Sequence, residues 1–460
     1  MSIIRKYLFL LFIVSLYHTT TYSQDLSNTY KEEVINTLST LMNDLYVFPD
    51  IAKDTEAHIK KQLKAGHFDP FKTNESFAKA LTESVQSINN DKHMRIMNQP
   101  PYEAPVMTPE RIIEEKLYSL KRKKEYNAGF NTVKVLEGNI GYIDLRGFTY
   151  FQQGKPIADA YMKLISNTDA VIIDLSKNGG GDPEMVQYLC SYFFKGGVHL
   201  NSLYFREEDK TIDFYTLDEV DGAKMIDIPL FVITSGRTFS GAEEFSYNMQ
   251  TQKRATLVGQ TTGGGANPGG TRPINESLSV FIPTGKAINP ITKTNWEGVG
   301  VIPEIKVTPE ESFTKTHELA KKAADQYREK IKEQYTNTFA HLLSKLETYD
   351  PTNSEKEILA VLKDCEEKGM IQDWEINALG YQYMMEHKKP KIAVCIFKAN
   401  TVLHPESANG FDSYAEGLMT LGNYEESIKN YKKAVALATA DNSPDLPMFQ
   451  ENLKKALQKK

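Results

Sequence analysis

The spacing of apolar and polar positions takes three successive characters along this chain. Up to about residue 90 the apolar positions recur every three or four residues. Val34, Leu38, Leu41 and Leu45 share one face of a helix over Glu32–Leu45, and Phe77, Leu81, Val85 and Ile88 repeat the pattern. Asn89-Asn90-Asp91 ends that second helix, and Lys92–Met97 reads as a strand. From about residue 130 to residue 308 short apolar runs alternate with helical ones. Ile140–Leu145 is a strand and Ile157–Ile165 a helix. Ala170–Leu175 is an apolar strand run that carries Asp174. A glycine loop follows it, then a helix over Pro183–Phe194 with proline in a favoured first-turn position. Pro229–Ile233 is the next strand, Gly241–Gln250 a helix, and Ala255–Val258 a further strand. Two consecutive strand–turn–helix units predict an α/β layer fold with largely parallel central strands. After Pro309 the chain turns to charged helices. There Ala393, Phe397, Asn400 and Pro405 recur 34 residues later as Ser427, Tyr431, Ala434 and Thr439, and Leu446–Leu457 reads as a closing helix.

Composition adds bounds. A chain of 460 residues with 40% apolar content can build more than one full core. The formal charge is only −6 and no Lys/Arg block stands out, so nucleic acid is not an expected partner. At the N-terminus Arg5 and Lys6 precede a short apolar run, Tyr7–Tyr17, and small polar residues lead to Tyr22-Ser23-Gln24. This reads as a secretory leader cut near Ser23, too short to span a membrane, and the expectation is a secreted or periplasmic protein. Three cysteines, Cys190, Cys365 and Cys395, form no metal spacing. Cys190 reads as core packing; Cys365 and Cys395 either stay free or pair in an oxidising compartment. No His-Glu-x-x-His or Cys-x-x-Cys run occurs, so neither a metal nor another cofactor is expected.

Four segments carry candidate chemistry. They are Asn90-Asp91-Lys92-His93, Asp174-Leu-Ser-Lys-Asn-Gly-Gly-Gly181, Thr238-Phe-Ser-Gly-Ala-Glu243, and Gly259–Gly265 followed by Asn295–Pro303. Ser240 stands where a strand turns into a helix, beside free backbone N–H groups that suit a developing oxyanion. A serine there is a helix cap or a nucleophile. The glycine loop could be a tight turn or an anion cradle, but it lacks the Gly-Lys-Ser/Thr ending of a phosphate loop, and Asp182 would repel phosphate.

Taken in order over residues 90–308, these segments resemble the tail-specific, or C-terminal processing, protease family, which includes the tricorn core and the modules of interphotoreceptor retinoid-binding protein. The resemblance implies a serine peptidase acting on polypeptides, with Ser240 as nucleophile and the N–H groups of Gly241 and Gly180 (or Gly179) as the oxyanion hole. One branch of the family takes a lysine from a Thr-x-Gly-Lys-Gly stretch as base. Here Gly264 occupies that place, in Thr261-Thr-Gly-Gly-Gly265. The other branch takes a histidine from an Asp-x-His stretch, which Asp91-Lys92-His93 matches, and a histidine titrates close to operating pH. Glu297 is then the group that orients His93. Two departures stand out: Lys92 replaces a serine that assists in the tricorn core, and Ser176 replaces an arginine after Asp-Leu. The stretch between His93 and Ile140 is too short for the family's peptide-gripping PDZ domain, which places the chain with the PDZ-less branch.

The 34-residue period resembles tetratricopeptide repeats, which implies a protein partner or self-association. The expected organisation is a leader (1–23), an N-terminal helical subdomain (24–90), an α/β protease core (91–310), a helical linker (311–375) and an all-α repeat region (376–460). The rival reading is a non-catalytic module that binds an apolar ligand or peptide on the same fold.

Overall fold

The computed structural model describes residues 26–99 and 108–459. The expected leader lies outside the described residues. The chain forms two compact units, one up to Asp325 and one from Gln326 onward.

The first unit opens with three helices: α1 (Asn28–Leu45), α2 (Pro49–Lys64) and α3 (Asn74–Asn89). Strand β1 (Arg95–Asn98) and helix α4 (Pro109–Tyr126) follow. Then come β2 (Phe130–Leu136), β3 (Ile140–Leu145), α5 (Phe151–Ile165), β4 (Ala170–Asp174) and α6 (Pro183–Ser191). Next are β5 (His199–Phe205), β6 (Lys210–Tyr215), β7 (Leu230–Thr234), α7 (Gly241–Thr251) and β8 (Thr256–Gly259). The unit's last strands are β9 (Gly269–Pro273), β10 (Leu278–Pro283), β11 (Gly285–Ile288) and β12 (Ile305–Lys306).

The central sheet has six strands in the order β12-β8-β7-β4-β3-β2, parallel except for the β2–β3 pair. Both of its faces are covered, which is why β4 reads as a continuous apolar run. Val171 and Ile173 face one core with Leu145, Val232 and Leu257, whereas Ala170 and Ile172 face another with Ile140, Ile233 and Val258. Helix α8 (Pro309–Glu347) begins on that second face, where Ala320 and Ala324 are buried. Residues 309–325 therefore belong to the first unit, and the division between units falls inside α8.

Two small antiparallel sheets, β1-β10-β9 and β11-β5-β6, were not announced by the sequence pattern. The first of them positions the site. Ile96 of β1 and Val280 and Ile282 of β10 share a core with α1–α3, so the N-terminal helices and the strand after them are packed onto a late hairpin of the chain. Helix α5 starts at Phe151, earlier than its apolar pattern suggests. Its first turn is fixed from elsewhere in the fold: the Asp182 carboxylate accepts the Phe151 N–H at 2.7 Å.

In the second unit, α9 (Ser354–Glu367), α10 (Asp373–Tyr381), α11 (Pro390–Leu403), α12 (Ala408–Thr420), α13 (Tyr424–Ala440) and α14 (Leu446–Leu457) complete the chain. Each of α10 to α13 packs on the next helix. Helix α13 begins 34 positions after α11, and the recurring positions Ala393, Phe397 and Asn400 are buried, as are Ser427, Tyr431 and Ala434. All three cysteines are buried and free, so Cys365 and Cys395 stay unpaired.

Candidate active site

β4 and β7 are parallel neighbours, with Asp174 opposite Ile233, so the loops leaving their C-terminal ends emerge side by side. Open parallel sheets place their sites at such ends. The two loops are tied together. Ser235 Oγ donates to the Ser176 carbonyl (2.6 Å), Thr238 Oγ1 to the Leu175 carbonyl (2.8 Å), and the Phe239 N–H to the Asn178 carbonyl (3.0 Å). Ser176 thus sits in the junction through its backbone; the arginine it replaces is not needed for this contact.

Ser240 follows directly, at φ 53° and ψ −124°. A non-glycine residue rarely takes positive φ, and such strain concentrates at functional sites. Its hydroxyl does not cap α7, so the sequence-level choice between cap and nucleophile is not blocked by a cap bond. The cap comes from Glu243, whose carboxylate accepts the Ser240 N–H at 3.0 Å. Glu243 is fully buried and also accepts from the N–H groups of Gly264 (2.7 Å) and Gly265 (2.8 Å) and from Thr262 Oγ1. Burial pushes its pKa up against these bonds. One carboxylate therefore clamps the serine turn to the glycine strand that passes it. Sequence reading gave Glu243 no role, although Ser-x-x-Glu is the capping-box spacing.

The glycine loop lies against the serine. A Cβ on Gly180 would come within 2.7 Å of the Gly241 nitrogen and 2.8 Å of Ser240 Cβ, so only glycine fits there. The Gly180 N–H, however, donates to Asn178 Oδ1 at 2.8 Å. Asn178 is buried, and its Oδ1 holds this N–H in place. The N–H groups of Gly179 and Gly241 have no hydrogen-bond partner among the described residues. The backbone at Gly264 disfavours a lysine at this position. It stands at φ 83°, and a Cβ there would lie 3.1 Å from the Gly298 carbonyl carbon and the Gly300 nitrogen. Any side chain there is strained by the left-handed backbone, and the Gly298–Gly300 backbone would have to give by a few tenths of an ångström.

His93 lies in the turn between α3 and β1. Pairing of β1 with β10 carries it to the serine loop, far away in sequence. Its ring sits 4.6 Å from the Phe239 ring and stacks 5.7 Å from the Phe281 ring. Burial, with the nearby Arg95 charge, lowers its pKa to about 4, so the ring is neutral at pH 7. Nδ1 is buried without a hydrogen-bond partner among the described residues. Polar atoms of Asp91, His93 and Glu297 all lie within 4.8 Å of one another.

That triplet is the arrangement in this unit with a metal-ligand donor set, but its oxygens are already engaged. Asp91 is buried and accepts from Tyr46 Oη (3.2 Å), Asn267 Nδ2 (2.9 Å) and the His93 N–H (3.1 Å). Glu297 accepts the N–H groups of Lys92 (3.2 Å), Ala266 (2.5 Å) and Asn267 (3.1 Å). A cation would have to displace these donors. Burial and mutual repulsion push the Glu297 pKa up, and burial pushes up that of Asp91. The expected orienter therefore stands beside His93 and holds the His93 and Ala266 loops together, but makes no hydrogen bond to the ring. Lys92, in the tricorn serine's place, contributes its backbone N–H to Glu297.

Comparison with known proteins follows the same order along the chain. Residues 28–131 match the N-terminal domain of peptidase S41 in eukaryotic IRBP, and residues 139–307 match peptidase family S41. The first unit belongs to peptidase family S41. The carboxy-terminal-processing protease of Bartonella bacilliformis is 25% identical over 176 residues, 37% of this chain and 39% of that protein, so the alignment spans well under half of the curated relative. Among solved structures, a peptidase candidate from Parabacteroides merdae aligns over 62% of this chain and 92% of its own at 17% identity and a TM-score of 0.45. The photosystem II D1 C-terminal processing protease aligns over 61% and 94% at 11% identity and a TM-score of 0.38. Among the described residues of the S41 unit and the helices after it, no helix is long and apolar enough to cross a membrane.

Proposed function

We propose that the S41 unit is a serine endopeptidase and that the chain is exported by its N-terminal leader. Ser240 Oγ attacks a peptide carbonyl, and His93 takes the hydroxyl proton and gives it to the leaving amine. Water then hydrolyses the acyl-enzyme with His93 as base again. The oxyanion is held by the Gly241 N–H together with a glycine-loop N–H, for which Gly179 is free and Gly180 would have to leave Asn178. The observation that carries the reading is the strained Ser240 backbone at the mouth of α7, packed on the glycine loop, with a neutral histidine seated on the preceding Phe239. The orphaned His93 Nδ1 supports Glu297 as its acceptor: a small rotation of either side chain would join them, and catalytic hydrogen bonds often tighten only with substrate bound. The second unit is read as tetratricopeptide-like, offering a surface for a protein partner or a second copy.

A fluorophosphonate probe with the intact chain tests this. Labelling that is abolished in Ser240→Ala and strongly reduced in His93→Gln is the expected result, with loss of casein cleavage on the order of 10⁴-fold or more. Folded, unlabelled wild-type protein would move the assignment to a non-catalytic binder of apolar ligands.

A further inference from the structure

A cavity of about 980 Å³ opens beside the glycine loop and is lined by Gly180 and Gly181. Resting on the peptidase reading, we infer that this cavity is the subsite that selects the substrate, and that it takes a bulky apolar side chain with a carboxylate close by. A polypeptide held with its scissile carbonyl at Ser240 must run past the glycine loop, so a side chain near the cleaved bond has this cavity within reach. Its volume lies at the upper end of small-ligand sites, about 300–1,000 Å³, which leaves room for a large aromatic or aliphatic group.

The apolar wall is built from Phe148 and Ile157 of the core and Leu120 and Tyr126 of α4. α4 buries none of its residues. Ile113, Leu117 and Leu120 are 57%, 60% and 54% exposed and fall on one stripe at i, i+4 and i+7, which ends at the cavity. A stripe that no described residue buries, continuous with a cavity at the candidate oxyanion loop, fits a segment of substrate laid along the helix.

Charge at the rim narrows the chemistry. Lys123 and Lys124 line the cavity, and neither forms an ion pair with a described residue, whereas Lys121 pairs with Glu125 at 3.7 Å. Asp182, the acidic group of the lining, is committed to the N–H groups of Phe151 (2.7 Å) and Glu184 (3.2 Å). The uncommitted charge is positive and calls for a carboxylate, from an Asp or Glu side chain or from a free chain end.

The test measures binding, not cleavage. Full-length Ser240→Ala protein is titrated against fluorescent peptides of one unstructured sequence. They carry Phe or Ala at the variable position, with or without a neighbouring Asp, and end in an acid or an amide. The Phe peptide with a carboxylate should bind at least about tenfold tighter than its Ala counterpart. Leu120→Asp should remove that preference, and Lys123→Glu with Lys124→Glu should remove or invert the preference for the carboxylate. Response to Asp in amidated peptides assigns the carboxylate to a side chain; response only to the free acid assigns it to a chain end. Equal binding of the Phe and Ala peptides, or indifference to Leu120→Asp, overturns the subsite, and indifference to both carboxylates overturns its charge. Leu120 is half exposed, so its substitution does not threaten the core, and the peptide panel on the otherwise unaltered chain stands without it. Fluorophosphonate labelling of wild type reads the peptidase assignment separately: selective binding without labelling sinks that assignment alone, and labelling without selective binding sinks the subsite alone.

Discussion

Glu243 offers the sharpest test of how the site is held. Its two oxygens accept three backbone N–H groups and one hydroxyl. In Glu243→Gln the best arrangement keeps the carbonyl oxygen on Ser240 and Gly265 and turns the amide toward Thr262, whose hydroxyl can accept. The Gly264 N–H is then left facing a donor. One orphaned buried donor costs about 1–3 kcal/mol, and the surviving bonds lose charge assistance. Relief of a buried charge offsets part of this, since burial already pushes the Glu243 pKa up. The expected net loss is about 2 kcal/mol. Glu243→Ala orphans three buried N–H groups and should cost roughly 3–6 kcal/mol unless water fills the space. Trp296 reports on this region directly, because its Nε1–H donates to the Gly265 carbonyl at 2.8 Å. The chain has only two tryptophans, so a Trp374→Phe background isolates its fluorescence during urea unfolding. Fluorophosphonate labelling should slow in both variants, more in alanine. If both variants unfold within about 0.5 kcal/mol of the parent, or if glutamine is the worse of the two, the carboxylate is not the clamp described here.

Two further outcomes follow from the same geometry. His93 has its pKa lowered from 6.5 to about 4, so below pH 6.5 the unfolded chain takes up a proton that the folded chain refuses. Stability from this group is complete above pH 6.5 and is lost as pH falls toward 4, by about 3 kcal/mol. Urea midpoints across that range should therefore fall more steeply in wild type than in His93→Phe; parallel curves would refute the assignment. Gly264→Lys should not create a lysine base. The left-handed backbone alone costs roughly 1–2 kcal/mol, so a lowered melting temperature and slower labelling are expected. A lysine variant that melts like wild type and labels faster would show that the loop has room.

The strands and helices of the parallel core were legible because each is specified locally. The apolar runs of β4 and β7, the 3.6-residue stripe of α1 and the turn before Gly241 need only neighbouring residues to be read. The candidate nucleophile was legible for the same reason, and the absent lysine was visible as a glycine. Helix ends set by remote groups were not legible, as at Phe151, whose N–H is capped by Asp182. Nor was the pairing of the two small antiparallel sheets: the segment of β1 reads as a strand, but its partner β10 lies far away in sequence and is found only on folding.

What the sequence determined by itself is which groups are present and which backbone forms they favour: a serine at a strand-to-helix turn, a glycine-rich loop after a parallel strand, a histidine after a helix. What the tertiary structure alone decided is where these groups point and what they are already bonded to. β1–β10 pairing brings His93 onto Phe239, Asn178 takes the Gly180 N–H, and Glu243 rather than the serine hydroxyl caps α7. Local propensity depends on residues a turn apart, whereas a hydrogen bond is claimed by whichever donor or acceptor the packed fold brings within 3 Å or so, and that competition has no trace in the order of the chain.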